Sequence, residues 1–147
     1  IFFVFLTELA RFGPLSGRHT LDHANQALSR TVRRVRQICD RDPAVAPCTL
    51  TLMATDGETL VATHGGKELF VSTYKKRCVD RDRCASLSAA CEGPSPDGRV
   101  NHIILSSEPL HGENVWVPLE PGELIGVGAD MRPRRQHIER CNLPLAG

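Results

Sequence analysis

The 147-residue sequence predicts an α+β domain, with two helices followed by about five mainly antiparallel strands. Three observations carry that reading. Apolar residues recur at three- and four-residue steps as far as Cys39, an alternation of period two takes over after Asp42-Pro43, and Asp56-Gly57 stands between two alternating runs. The layered domain so described reads as incomplete. A sheet of this kind needs cover on both faces, and the chain offers helices only at its start.

The opening run Ile1-Phe2-Phe3-Val4-Phe5-Leu6 begins a helix over roughly residues 1–12. It is apolar on nearly every side, as suits a helix sandwiched between layers. A truncated signal peptide is the weaker reading: no basic stretch precedes the run, Glu8 and Arg11 follow closely, and no small-residue cleavage site is evident. The helix is therefore expected to be buried, with its N-cap upstream, and Gly13-Pro14 stops it. A second helix runs from about Leu21 to Cys39, with Thr20 as N-cap and Asp22 in its first turn. Leu21, Ala24, Leu28, Val32, Val35 and Cys39 share one face, which assigns Cys39 to the core. Arg30, Arg33, Arg34 and Arg36 occupy the rest of its surface.

Cys48 to Ala54 then alternates as a strand, with Leu50, Leu52 and Ala54 on one side. Asp56-Gly57 turns it into Thr59–Thr63, His64-Gly65-Gly66 breaks that partner, and Leu69–Tyr74 is a third strand. Residues 76–99 read as a surface loop insertion, long enough to be partly mobile. Val100–Ser106 forms a fourth strand and Glu123–Val127 a last one, entered through the Glu120-Pro121-Gly122 turn. Residues 1–131 are taken as one domain and 132–147 as a loosely held basic tail.

Composition narrows function by exclusion. Hydrophobic residues make up 41% and charged residues 24%, which is ordinary globular usage, and the net charge is only +1. Aromatics at 5% argue against a base-stacking surface. No apolar run reaches the ~20 residues that span a bilayer, so no membrane partner is expected. Six cysteines at 39, 48, 78, 84, 91 and 141 make no C-x-x-C pair or common zinc spacing, and read as free cytosolic thiols. His19 and His23 are four apart, but His19 precedes the N-cap, so a shared metal there is not expected. Phosphate-loop, dinucleotide and G-x-S-x-G motifs are missing, and neither metal nor cofactor is called for. Gly122, Gly126 and Gly128 read as bends rather than a phosphate cradle. The helix-two arginines and Arg132-Pro133-Arg134-Arg135 raise a nucleic-acid alternative, outweighed by a solvated face balanced against 17 acidic residues.

The most specific string is Ser106-Ser107-Glu108-Pro109-Leu110 followed by Trp116-Val117-Pro118-Leu119-Glu120-Pro121-Gly122-Glu123-Leu124-Ile125-Gly126-Val127. Read from its residues alone, it is a strand ending in a Pro turn, an aromatic plug, and a Pro-Gly turn into a final strand. The string resembles the closing segment of class II glutamine amidotransferases. Ala54–Ala62 is similar to the family's Asp-Gly hairpin, Leu69-Phe70-Val71-Ser72 to the short strand after it, and Phe3–Leu9 to the helix that follows an acidic substrate-binding turn. The likeness runs in order through most of residues 1–128, with residues 76–99 unmatched. Within the superfamily it is nearest to small amidotransferase-like proteins such as the fungal glutathione-degradation subunit.

The resemblance implies a partial αββα sandwich of the N-terminal-nucleophile type, corresponding to the C-terminal half of the family's domain. It implies hydrolysis of a γ-glutamyl amide by an N-terminal cysteine whose own α-amino group is the base. The substrate would be a γ-glutamyl small molecule or peptide, with a partner peptidase subunit, in the cytoplasm. The family's nucleophile, Arg clamp, Asn-Gly oxyanion pair and Asp all match positions before this sequence begins, so no catalytic residue is assigned and the chain alone is expected to be inactive. Ser107 and Glu108 are the candidate substrate-pocket wall, with Trp116 organising the sheet edge. A non-catalytic interaction module and a small nucleic-acid-binding domain are the alternatives.

Overall fold

The computed structural model describes residues 1–138. Cys141 and the rest of the expected tail lie outside the described residues. Helix α1 (Phe2–Leu9) continues as a 3-10 turn through Phe12 and packs beside α2 (Leu21–Cys39). Strands β1 (Leu52–Thr55), β2 (Leu60–Thr63), β6 (Glu123–Val127) and β7 (Arg134–His137) form one antiparallel sheet in the order β1-β2-β6-β7. Strands β3 (Phe70–Ser72), β4 (Ile104–Ser106) and β5 (Val117–Pro118) form a second, in the order β4-β3-β5.

Alternation along two strands builds the layers. Val61 and Leu124 point toward α2, joining Leu21, Ala24, Leu28, Val32 and Leu50 in one core. Their neighbours Ala62 and Ile125 point the other way, onto Val71 of the second sheet and onto Leu69 and Leu119, which flank its strands. Every residue of β6 is buried, as expected of a strand covered on both faces. The described residues thus stack as helices, sheet, sheet: three layers of an αββα sandwich.

Local chemistry explains why α2 begins where it does. Thr20 Oγ1 accepts the His23 N–H at 3.2 Å while His23 Nδ1 accepts the Thr20 N–H at 3.4 Å, a reciprocal cap. At the hairpin, Asp56 Oδ1 accepts the N–H groups of Glu58 and Thr59, and Gly57 takes the positive φ of 92°.

Six expectations are corrected. Helix α1 is not sandwiched: Phe2 and Phe3 are 67% and 81% exposed, and the buried residue of the helix is Glu8. Cys39 is exposed rather than core, because the buried stripe of α2 ends at Val32 and Val35 is already only partly buried. The basic segment after Arg132 is not loose: Arg134–His137 is a strand paired with β6, and Ile138 returns to the core. With it and the two-residue β5, the strands number seven among the described residues, not about five. Gly126 lies in the last strand as expected, but there its missing side chain makes room for α2 rather than marking a bend. The 76–99 segment, expected to be partly mobile, is tied down: Lys75 N–H donates to Cys91 O at 2.8 Å, Lys76 N–H to Glu113 O at 2.7 Å, and Cys78 N–H to Glu92 Oε1 at 2.7 Å.

Candidate functional site

Ser107 and Glu108 follow the end of β4, and both are exposed. The turn that presents them is closed by Ser106 Oγ, which accepts the Glu108 N–H at 3.4 Å. Trp116 is half-buried rather than a plug. Its indole N–H donates to Leu110 O at 3.0 Å and straps the loop between β4 and β5. Ser107 lines an open recess of about 550 Å³ together with Gly66, Lys67 and Glu68, whereas Glu108 is not among its lining residues.

The far wall of that recess is positioned by one hydroxyl. Thr51 Oγ1 accepts the N–H groups of Gly65 at 3.1 Å and Lys67 at 3.0 Å, and donates to Lys67 O at 2.7 Å. Its lining residues thus include one lysine, one glutamate and one serine, residue types whose polar groups suit a small zwitterion. Lys67 and Glu68 escaped sequence reading because the tie that brings them there crosses 16 residues.

A second concavity of about 510 Å³ lies between α1 and the edge strand β1, walled by Phe2, Phe5, Leu9, Leu15 and Met53. His19 and Asp56 are among its polar lining residues. Both ring nitrogens of His19 are buried and have no hydrogen-bond partner. Asp56 is held below the usual carboxylate range, first by the Thr59 N–H, then by the Glu58 N–H and by His19 nearby. His19 and His23 meet edge to face at 6.1 Å, but His23 is spent on the α2 cap and stacks on Phe12 at 4.9 Å. Among the described residues no group of three or more His, Cys, Asp or Glu is placed to hold a metal ion.

Cys39, Cys48, Cys78, Cys84 and Cys91 are free thiols. Cys91 is buried and pulled below the usual thiol range by the Ser88 backbone and by Asn101, whose amide donates to its sulfur at 3.1 Å. Cys48 is pushed up to about 11, by burial first and by the Asp40 carboxylate second. Each of the five is joined to a preceding residue, so its own nitrogen is a peptide amide and not the free α-amine that serves an N-terminal nucleophile as base.

Two helices on one sheet, with a second sheet behind it, match in fold about half of a solved class II domain protein. The comparison rests on the solved structure of a glutamine aminotransferase class-II domain protein from Silicibacter pomeroyi, with a TM-score of 0.56 and 20% identity. The superposition covers 92% of this chain and 48% of that one, so the chain spans about half the length of the protein it matches. At that identity the likeness is one of fold. No family model matches the sequence, and no curated protein matches it. No helix among the described residues is long and apolar enough to cross a membrane.

Proposed function

We propose that the chain is the C-terminal part of a glutamine amidotransferase-like γ-glutamyl amide hydrolase, and that it has no turnover by itself. The observation that carries this reading is the layered likeness over 92% of the chain to a class II domain of about twice its length. The order of the Asp-Gly hairpin, the short third strand and the Ser-Glu-Pro-Leu turn supports it. The substrate proposed for the whole protein is glutamine or a glutathione-derived γ-glutamyl peptide, handled in the cytoplasm with a peptidase subunit as partner. Ser107, with Glu108 beside it, is proposed as an outer wall of the substrate pocket. The Lys67, Glu68 and Ser107 chemistry suits the α-carboxylate and α-ammonium of a γ-glutamyl group.

Two measurements test this. Glutamate release from glutamine and from glutathione is expected to be undetectable with the purified 147-residue chain. Turnover by that chain overturns the assignment of catalysis to residues outside it. Intact mass and N-terminal sequencing of the native protein are expected to give a longer chain opening on cysteine. A native chain opening at Ile1 and inert toward both substrates overturns the hydrolase reading.

A further inference from the structure

The seam between α1 and α2 carries more positive charge than its own acid neutralises. Glu8 is 3% exposed, and three guanidiniums converge on it. Arg34 donates to Oε1 at 3.3 Å, Arg11 to Oε2 at 3.4 Å, and Arg30 lies 3.9 Å from Oε2. Three arginines against one glutamate leave a formal charge of +2.

The arrangement is fixed before any ligand arrives. Glu8 anchors one nitrogen of each arginine, and Arg30 also lies over the Phe12 ring at 5.4 Å. Each guanidinium has five N–H donors, and a single carboxylate can occupy only a few of the fifteen or so. Part of each side chain is open to solvent, the Arg11, Arg30 and Arg34 side chains being 60%, 37% and 56% exposed. Arg30 and Arg34 are one helical turn apart, where like charges repel unless an anion lies between them. Glu8 answers that repulsion on the inner side of the seam. Nothing in the described residues answers it on the outer side.

We propose that this seam is a binding site for a small compound bearing a phosphate or diphosphate group. Planar forks match the oxygens of such a group two at a time, which a spherical chloride cannot exploit. The proposal stands independently of the amidotransferase reading. It is tested on the full 147-residue chain by titrating sodium pyrophosphate and sodium phosphate against sodium chloride at matched ionic strength. Amide NMR shifts and thermal melts are the readouts. Saturable binding is expected, tighter for pyrophosphate, with shifts centred on residues 8–12 and 30–34. Arg11→Gln and Arg34→Gln should each weaken it by about tenfold, whereas Arg18→Gln, whose partner is Glu58, should leave it unchanged. If the wild-type chain responds to pyrophosphate only as it does to chloride, the proposal is overturned without recourse to any variant. Binding unaffected by both seam substitutions overturns it too. So does a short DNA duplex that competes pyrophosphate away at lower concentration, which would mark the seam as a nucleic-acid surface.

Discussion

Gly126 in β6 lies directly under Leu21 in α2: a Cβ built on the glycine would come within 2.5 Å of Leu21 Cδ1 and 2.7 Å of Asn25 Oδ1. The contact sets how close the helix layer sits on the sheet, because Val61, paired with Gly126 across the strands, crowds the same point at 3.2 Å. Gly126→Ala should therefore lift α2 or push Leu21 off its rotamer, at a cost of about 1–3 kcal/mol. Urea unfolding measures it. A midpoint unchanged within error would mean that α2 and the sheet are not packed as described.

The limits of sequence reading follow from the same physics. Helix α2 was legible to the residue, Leu21 to Cys39, because its cap is local and its stripe keeps one period. The burial of Cys39 was not, since periodicity says which face a residue occupies but not how far the opposing sheet extends. The apolar run of α1 showed what favours burial and left open what lies against it, and Phe3 is 81% exposed. Strand β7 was illegible for the opposite reason. Arg-Arg-Gln-His has no apolar alternation, all four residues are exposed, and backbone pairing to β6 defines the strand. At the recess, Ser107 was legible through its motif. Lys67 and Glu68 reach it through a hydroxyl far away in sequence.

The Asp56 turn gives the acid limb of stability a definite sign. Its carboxylate accepts the Thr59 N–H at 2.7 Å and the Glu58 N–H at 3.0 Å, and its pKa is lowered by folding. A depressed folded value means that the contribution is fully present above the unfolded value of about 3.9 and is lost as pH falls through the lowered one. Asp56→Asn keeps an oxygen acceptor for the turn while removing the charge. It is expected to melt close to wild type at low pH and to gain less stability as pH rises from about 3 to 5. Thermal melts across that window check it. Parallel curves for the two proteins would show that the carboxylate charge contributes nothing.

Thiol reactivity should rank by exposure and by thiolate fraction. Cys39 and Cys84 are exposed and are expected to alkylate first with iodoacetamide near pH 8. Cys48 is half-buried and its thiol is pushed up to about 11, so its thiolate is scarce at that pH. Its labelling should lag by about tenfold or more. Asp40→Asn removes one of the two main causes of that rise and should quicken labelling at Cys48 alone. Peptide mapping by mass spectrometry reads each site separately. Equal rates at Cys39 and Cys48 would contradict the described surroundings of Cys48.

Neighbouring arginines of β7 offer an internal comparison. Arg135 donates to Glu123 Oε1 at 3.1 Å, and that side chain is only 7% exposed, its other oxygen accepting the Glu120 N–H at 2.8 Å. Arg134 reaches Asp22 at 3.4 Å and Asp130 at 3.2 Å, but those carboxylates are 70% and 40% exposed. Removing Arg135 leaves a nearly buried carboxylate short of a partner, whereas removing Arg134 returns two exposed ones to water. Because Arg135 itself is 41% exposed, solvent screens part of the loss. Arg135→Ala should cost about 1–2 kcal/mol and Arg134→Ala no more than about 0.5. Arg135→Ala should also loosen the β6–β7 pairing, raising hydrogen exchange at Ile125, whose strand partner is Arg135. Equal costs for the two substitutions would mean that the Glu123 pair is screened like any surface pair, and that backbone pairing alone holds β7 in place.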